Sequence, residues 1–256
     1  MCRECGCADR VPFGVKVLSV IAPKLLQSAA RPPAGPETVE IHSPLLAKND
    51  DAAARNRAVF RDRGMLVLNL ISSPGSGKTE LLSRTMDGFD ARSAVLVGDL
   101  ETDNDARRIH RPHVPVAQIT TGTACHLDAE MVARGIERLD LGGVRVLFIE
   151  NVGNLVCPAE FDLGEEVRVV LLSVTEGEDK PLKYPPIFKS ADLVLLTKMD
   201  VAEALGFDRQ AALSNIGRVA PRARIIELSA RSGEGMDEWY AFLNSRLGER
   251  REAVVT

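Results

Sequence analysis

The chain has 256 residues, 45% of them hydrophobic and 27% charged, with a formal net charge of −4. That balance is too apolar for global disorder and too acidic for nucleic acid held by bulk positive charge. Aromatic residues are only 4% of the chain, which argues against stacking platforms for single strands.

Three of the five cysteines, Cys2, Cys5 and Cys7, lie at the very start, and the others are Cys125 and Cys157. An odd number with a tight terminal cluster does not read as a secreted disulfide framework. The expectation is a cytoplasmic, reducing location in which thiols serve metal or redox chemistry. Charged Arg3 and Glu4 follow Met1 and Cys2, so no signal peptide is expected. The apolar stretch 11–30 contains Pro12, Lys16, Pro23 and Lys24, so no membrane insertion is expected either. It reads as a linker, a strip packed on the main domain, or a docking segment. The breaker cluster RPPAGPE over 31–37 separates a flexible tail, 1–37, from a domain over 38–256.

The domain opens with a helical pattern over 43–65, with Ser43 as its cap, Pro44 in its first turn and Gly64 at its end. Short apolar runs then alternate with helical segments. The runs begin at Leu66, Ala94, Val116, Val144, Val167, Ala191 and Arg224. Several are apolar on both faces, as strands covered by helices on both sides should be. The expected fold is α/β, with a mostly parallel central sheet flanked by helices.

The first strand runs into SSPGSGKT over 72–79, the Walker A pattern with Ser72 in the first glycine position. Gly75 and Gly77 let the backbone around Ser76 turn its N–H groups inward around a phosphate, and the following helix points its positive end there. Lys78 would reach the β- and γ-phosphates, and Thr79 would offer its hydroxyl to Mg²⁺. TKMD over 197–200 is similar to the guanine-reading motif N-K-x-D. Asp200 can accept from N1–H and the 2-amino group of guanine, donors that adenine lacks, while the Lys198 stem lies along the purine. Ser229 and Ala230 follow the last strand in the manner of the loop that contacts the guanine carbonyl. ENVG over 150–153 is similar to the D-x-x-G switch, with Glu150 near Mg²⁺ and the Gly153 N–H sensing the γ-phosphate. Asp99, Glu101 and Asp103 stand where a mobile switch loop is expected, and Asp99 is a further candidate Mg²⁺ residue. The expected activity is slow hydrolysis of GTP to GDP and phosphate. No arginine or glutamine can be assigned beside the phosphates from sequence, and an unaided GTPase of this kind turns over on the order of 10⁻⁴ s⁻¹.

Cys2, Cys5 and Cys7 can converge on one soft cation, with Gly6 permitting the turn. With the amine of Cys2 they would form a set suited to square-planar Ni(II), with Zn²⁺ as competitor and a redox pair as the other reading. Cys125 and His126, before a helix, and Cys157, just beyond the switch, form a second candidate set. Each thiol alone reads as a small buried hydrophobe, and their nearness to the switch favours metal.

Together these motifs resemble the hydrogenase nickel-incorporation GTPase family, HypB. The resemblance is carried by the C-x-x-C-G-C terminus, NLISSPGSGKT, GDLETDNDA, TGTACHLDA, ENVGNLVCP and LLTKMD. It implies a P-loop GTPase that forms a GTP-dependent homodimer. It implies a tight nickel site at Cys2, Cys5 and Cys7 and a weaker nickel or zinc site at Cys125, His126 and Cys157, at the dimer interface. The implied partners are the nickel chaperone HypA and the large subunit of nickel–iron hydrogenase, which would receive the metal. An accessory GTPase for urease or a cobalamin enzyme shares the expected fold but gives no reason for the cysteine-rich start. A passive nickel- or zinc-buffering protein gives no reason for Lys78 and Asp200.

Overall fold

The computed structural model describes residues 42–99, 104–122 and 124–255. Cys2, Cys5, Cys7, the 11–30 stretch, the 37/38 boundary, Glu101 and Asp103 therefore lie outside the described residues. Helix α1 spans His42–Asp62 and is followed by β1, Leu66–Ser72, and α2, Lys78–Gly88. Next come β2, Ser93–Asp99; α3, Asn104–Ile109; β3, Val116–Thr120; α4, Ala129–Ile136; and β4, Val146–Glu150. The second half holds β5, Val167–Ser173; α5, Lys180–Lys183; α6, Pro185–Lys189; and β6, Leu193–Thr197. It closes with α7, Arg209–Val219; β7, Arg224–Leu228; and α8, Met236–Val255. Helix α1 starts one residue before Ser43, so that serine lies inside the helix and not at its cap. Gly64, at φ 64°, turns the chain out of the helix as expected.

The seven strands pair in the order β3-β2-β4-β1-β5-β6-β7, and every ladder is parallel. Parallel strands need crossovers that place helices on both faces, so the inner strands must be apolar on both sides. All seven residues of β1 are buried, whereas the edge strands β3 and β7 are partly open. On one face Leu68, Leu70, Val97 and Phe148 pack against Leu81 of α2 and Trp239 of α8. The Trp239 indole donates to Thr85 Oγ1 at 3.0 Å, which locks α8 to α2. On the other face Leu96, Leu147 and Ile149 pack against Val132 of α4 and Phe60 of α1, while Val170 and Leu196 pack against Phe188 and Ile216.

The chain reverses its direction of sheet growth at β1, with β4 on one side and β5 on the other. Ligands of open α/β sheets bind at such a point, beyond the carboxyl ends of the strands. Register sets the floor of that crevice. Glu150, the last residue of β4, is level with Leu70 and Val97, so β1 and β2 each run two residues farther. Among the described residues no helix is long and apolar enough to cross a membrane.

Candidate functional site

Between β1 and α2 the loop 73–77 is shaped by Gly75 at φ 75° and Gly77 at φ 97°. A Cβ on either would meet nothing within 4 Å, so what both positions require is left-handed backbone and not space. Ser72, in place of the first glycine, has a role of its own. Its hydroxyl accepts from Lys78 Nζ at 2.8 Å and donates to the Ser73 carbonyl at 2.7 Å. Lys78 is buried, and that burial lowers its pKa, with Glu150 pulling it back up.

Beside it, Thr79 Oγ1 donates to Glu150 Oε1 at 2.7 Å. Glu150 Oε2 is buried with no hydrogen-bond partner among the described residues. Burial pushes the Glu150 carboxyl up to about 7, against the opposing pull of Lys78 and the Thr79 hydrogen bond. An orphaned carboxylate oxygen next to a threonine hydroxyl fits Mg²⁺, which takes one or two protein oxygens and completes its shell with phosphates and water. These groups face a cavity of about 450 Å³ that Gly75, Gly77, Asp99 and Gly153 also line.

A second cavity, of about 460 Å³, is lined by Ser76, Thr197, Lys198, Asp200, Ser229 and Ala230. The two share Gly77 and Glu80, so they run together along the loop. Thr197 Oγ1 donates to the Ser76 carbonyl at 2.7 Å. Lys198 has φ 62°, the one positive φ outside glycine among the described residues, and its Nζ donates to the Gly75 carbonyl at 2.7 Å. A non-glycine residue in that region is costly and persists where its surroundings over-determine it. Among the described residues, Gly75, Gly77, Lys78, Thr79, Asp99, Glu150 and Gly153 line the first cavity, and Ser76, Lys198, Asp200, Ser229 and Ala230 line the second.

The second cysteine set converges. Ligand atoms of Cys125, His126 and Cys157 lie within 4.8 Å of one another. The two Sγ atoms are 2.8 Å apart, and Cys125 Sγ is 3.8 Å from His126 Nδ1. A tetrahedral ion with bonds of about 2.3 Å would hold two thiolates about 3.8 Å apart, so the sulfurs must separate by about 1 Å to grip one. His126 is buried against the Phe161 ring at 3.9 Å, and burial lowers its pKa, which favours the neutral imidazole that ligates metal. The Asn154 side chain donates to the Cys125 carbonyl at 3.2 Å and ties the two loops together. Asp128, accepting from Met131 N at 2.7 Å, caps α4 and fixes the backbone just after His126.

Some contacts of this region carry no signal in the sequence. Glu176, far along the chain, accepts from Ser76 Oγ at 2.5 Å and so buttresses the phosphate loop. Gly153 packs so closely on Pro74 that a Cβ would come within 2.9 Å of its Cα. Asp105 and Arg108 of α3 line the phosphate cavity. The sequence assigned no arginine to this neighbourhood; Arg108, with its side chain 54% exposed, lines the cavity of Lys78 and Glu150, which its helix-surface pattern gives no reason to expect.

Residues 66–227 match the model of the CobW/HypB/UreG nucleotide-binding domain. The hydrogenase maturation factor HypB of Azotobacter chroococcum is 51% identical over 95% of this chain and 78% of its own length. A Helicobacter pylori protein named hydrogenase/urease maturation factor HypB is 40% identical over 84% of this chain and 91% of its own. The crystal structure of HypB from H. pylori in complex with nickel superposes with a TM-score of 0.75 at 39% identity, covering 79% of this chain and 96% of that one.

Proposed function

The chain belongs to the HypB family of CobW/HypB/UreG nucleotide-binding proteins, and on that premise we propose that it hydrolyses GTP to control the hand-over of nickel during hydrogenase maturation. The observation that carries this reading is adjacency. A cavity with phosphate-loop chemistry and a three-donor metal set are joined through the short segment from Gly153 to Cys157.

The guanine would lie in the cavity of Thr197, Lys198, Asp200, Ser229 and Ala230, with Asp200 rejecting adenine by remaining unpaired. The triphosphate would lie against the N–H groups of the 73–77 loop and Lys78. Bound at Thr79 and Glu150, Mg²⁺ would neutralise charge on the β- and γ-phosphates, and Asp99 stands on the same cavity wall. Gly153 touches the phosphate loop, and Asn154 and Cys157 follow it, so loss of the γ-phosphate would move a ligand thiolate.

Cys125, His126 and Cys157 offer three donors and leave a fourth position open. Beside them Val156 is 61% exposed, a large apolar side chain that a second copy of the chain would cover. A GTP-dependent homodimer with this site at its interface follows from that reading. Cys2, Cys5 and Cys7 are proposed as the tight nickel site, with Zn²⁺ competing at both sites. HypA and the nickel–iron hydrogenase large subunit are the proposed partners, in the cytoplasm. The name of the H. pylori relative favours one second reading, delivery to urease as well.

The test measures GTP and ATP turnover by the wild type and by Lys78→Ala, and nickel release to an apo-hydrogenase large subunit and to apo-urease. Selective GTP turnover that Lys78→Ala abolishes, with nucleotide-dependent nickel release, is expected. Equal turnover of ATP and GTP, or nickel release that ignores the nucleotide, would reject the reading.

A further inference from the structure

We propose that Arg108 is a catalytic residue for GTP hydrolysis, its guanidinium donating to phosphate oxygens from within the same chain; this rests on the GTPase reading above. The phosphate cavity is lined by the carboxylates of Glu80, Asp99, Asp105 and Glu150, and by two cations, Lys78 and Arg108. A triphosphate with one Mg²⁺ still carries a net charge of about −2, and entering among four carboxylates it needs cationic partners.

Lys78 is buried and tethered to Ser72. Arg108 is placed differently. Its side chain is 54% exposed, so it can swing without repacking the core. It is held at present by Glu80, Nη2 to Oε2 at 2.8 Å, and more loosely by Asp105 at 3.8 Å. Glu80 borders both cavities, whereas Arg108 lines the one that holds Lys78 and Glu150. Arg108 and Asp105 are also near enough to act on Glu150 through their charges, Asp105 raising its pKa and Arg108 lowering it. An exposed ion pair such as Arg108–Glu80 is weak and is readily exchanged for a more highly charged acceptor. The guanidinium has five donors in a planar fork, so it can keep one N–H on Glu80 and turn others to the phosphates.

In the step itself, the water oxygen bonds to the γ-phosphorus and the bond from that phosphorus to the β–γ bridging oxygen breaks. The bonding pair stays with the β-phosphate, giving GDP, inorganic phosphate and one released proton. Arg108 neither gains nor loses a proton. It donates hydrogen bonds to oxygens on which negative charge accumulates as the bond breaks.

The experiment follows single-turnover GTP hydrolysis in Mg²⁺ by the wild type, Arg108→Ala, Arg108→Lys and Lys78→Ala. GDP affinity and formation of the GDP–aluminium fluoride complex are measured alongside. Arg108→Ala is expected to slow hydrolysis at least tenfold and to lose the aluminium fluoride complex, with GDP affinity within threefold of wild type. Arg108→Lys restores charge without the fork and is expected to stay slow. Hydrolysis by Arg108→Ala within threefold of wild type, while Lys78→Ala is inactive, overturns this proposal alone. A loss of GDP affinity that matches the loss of rate also overturns it, because Arg108 would then be structural. Absence of hydrolysis by the wild type overturns this proposal and the GTPase reading together.

Discussion

Replacing Gly153 with alanine is a steric probe of the link between nucleotide and metal. Gly153 does not have a positive φ, so alanine suits its backbone and only the added methyl acts. That methyl would lie 2.9 Å from Pro74 Cα and 3.0 Å from Pro74 N and Cγ. Carbon atoms in contact settle at about 3.5–4.0 Å, so one loop must retreat by about 0.6 Å or more. Pro74 is the stiffer side, with φ fixed by its ring and the adjoining Gly75 carbonyl held by Lys198. The segment after β4 therefore yields and takes the Gly153 N–H away from the γ-phosphate position. Overpacking of this kind costs about 1–3 kcal/mol, which corresponds to about 5- to 150-fold in affinity. The loss should fall on a non-hydrolysable GTP analogue and spare GDP, which has no γ-phosphate. Because Asn154 and Cys157 ride on the same segment, nickel binding at Cys125, His126 and Cys157 should change as well. The assay is titration of fluorescent GDP and GTP analogues, with nickel affinity measured in a background lacking Cys2, Cys5 and Cys7. Equal losses for both nucleotides, or no loss for either, would refute the link.

Asp200→Asn should remove guanine selection, lowering the preference for GTP over ATP by about 5- to 150-fold in competition binding, as expected for one misplaced hydrogen-bonding partner. The same variant should gain affinity for XTP, whose C2 carbonyl accepts what the asparagine amide donates. In the background lacking the tail cysteines, Cys157→Ala should weaken nickel or zinc binding by more than about 100-fold in chelator competition, and unchanged affinity would exclude Cys157 as a ligand. For Glu150 the folded pKa of about 7 stands above its ordinary 4.5. The folded chain thus holds a proton that the unfolded chain releases between those values. The associated stability is complete below pH 4.5 and is lost as pH rises through 7, by at most about 3 kcal/mol. Urea unfolding in a metal chelator should show that decline in the wild type and lack it in Glu150→Gln.

The strands are legible in the sequence because a two-faced apolar run bounded by breakers has few other uses in a chain of this composition. The structure places all seven within two residues of the runs that begin at Leu66, Ala94, Val116, Val144, Val167, Ala191 and Arg224. The placement of Lys78, Thr79 and Asp200 on the two cavities is legible for a related reason. They belong to short motifs that follow strand ends, where the local backbone carries them to the carboxyl end of the sheet. What needed the tertiary structure is whatever two distant segments share. Glu176 meets Ser76 across 100 positions of chain. Gly153 abuts Pro74 because β4 is the hydrogen-bonded neighbour of β1. Arg108 lines the cavity of Lys78 and Glu150 because α3 comes after β2, the hydrogen-bonded neighbour of β4. Hydrophobic periodicity records which face of a segment is buried and is silent on what that face meets. Strand order decides which loops gather at one end of a parallel sheet, and it is set by how all the helices and strands pack together.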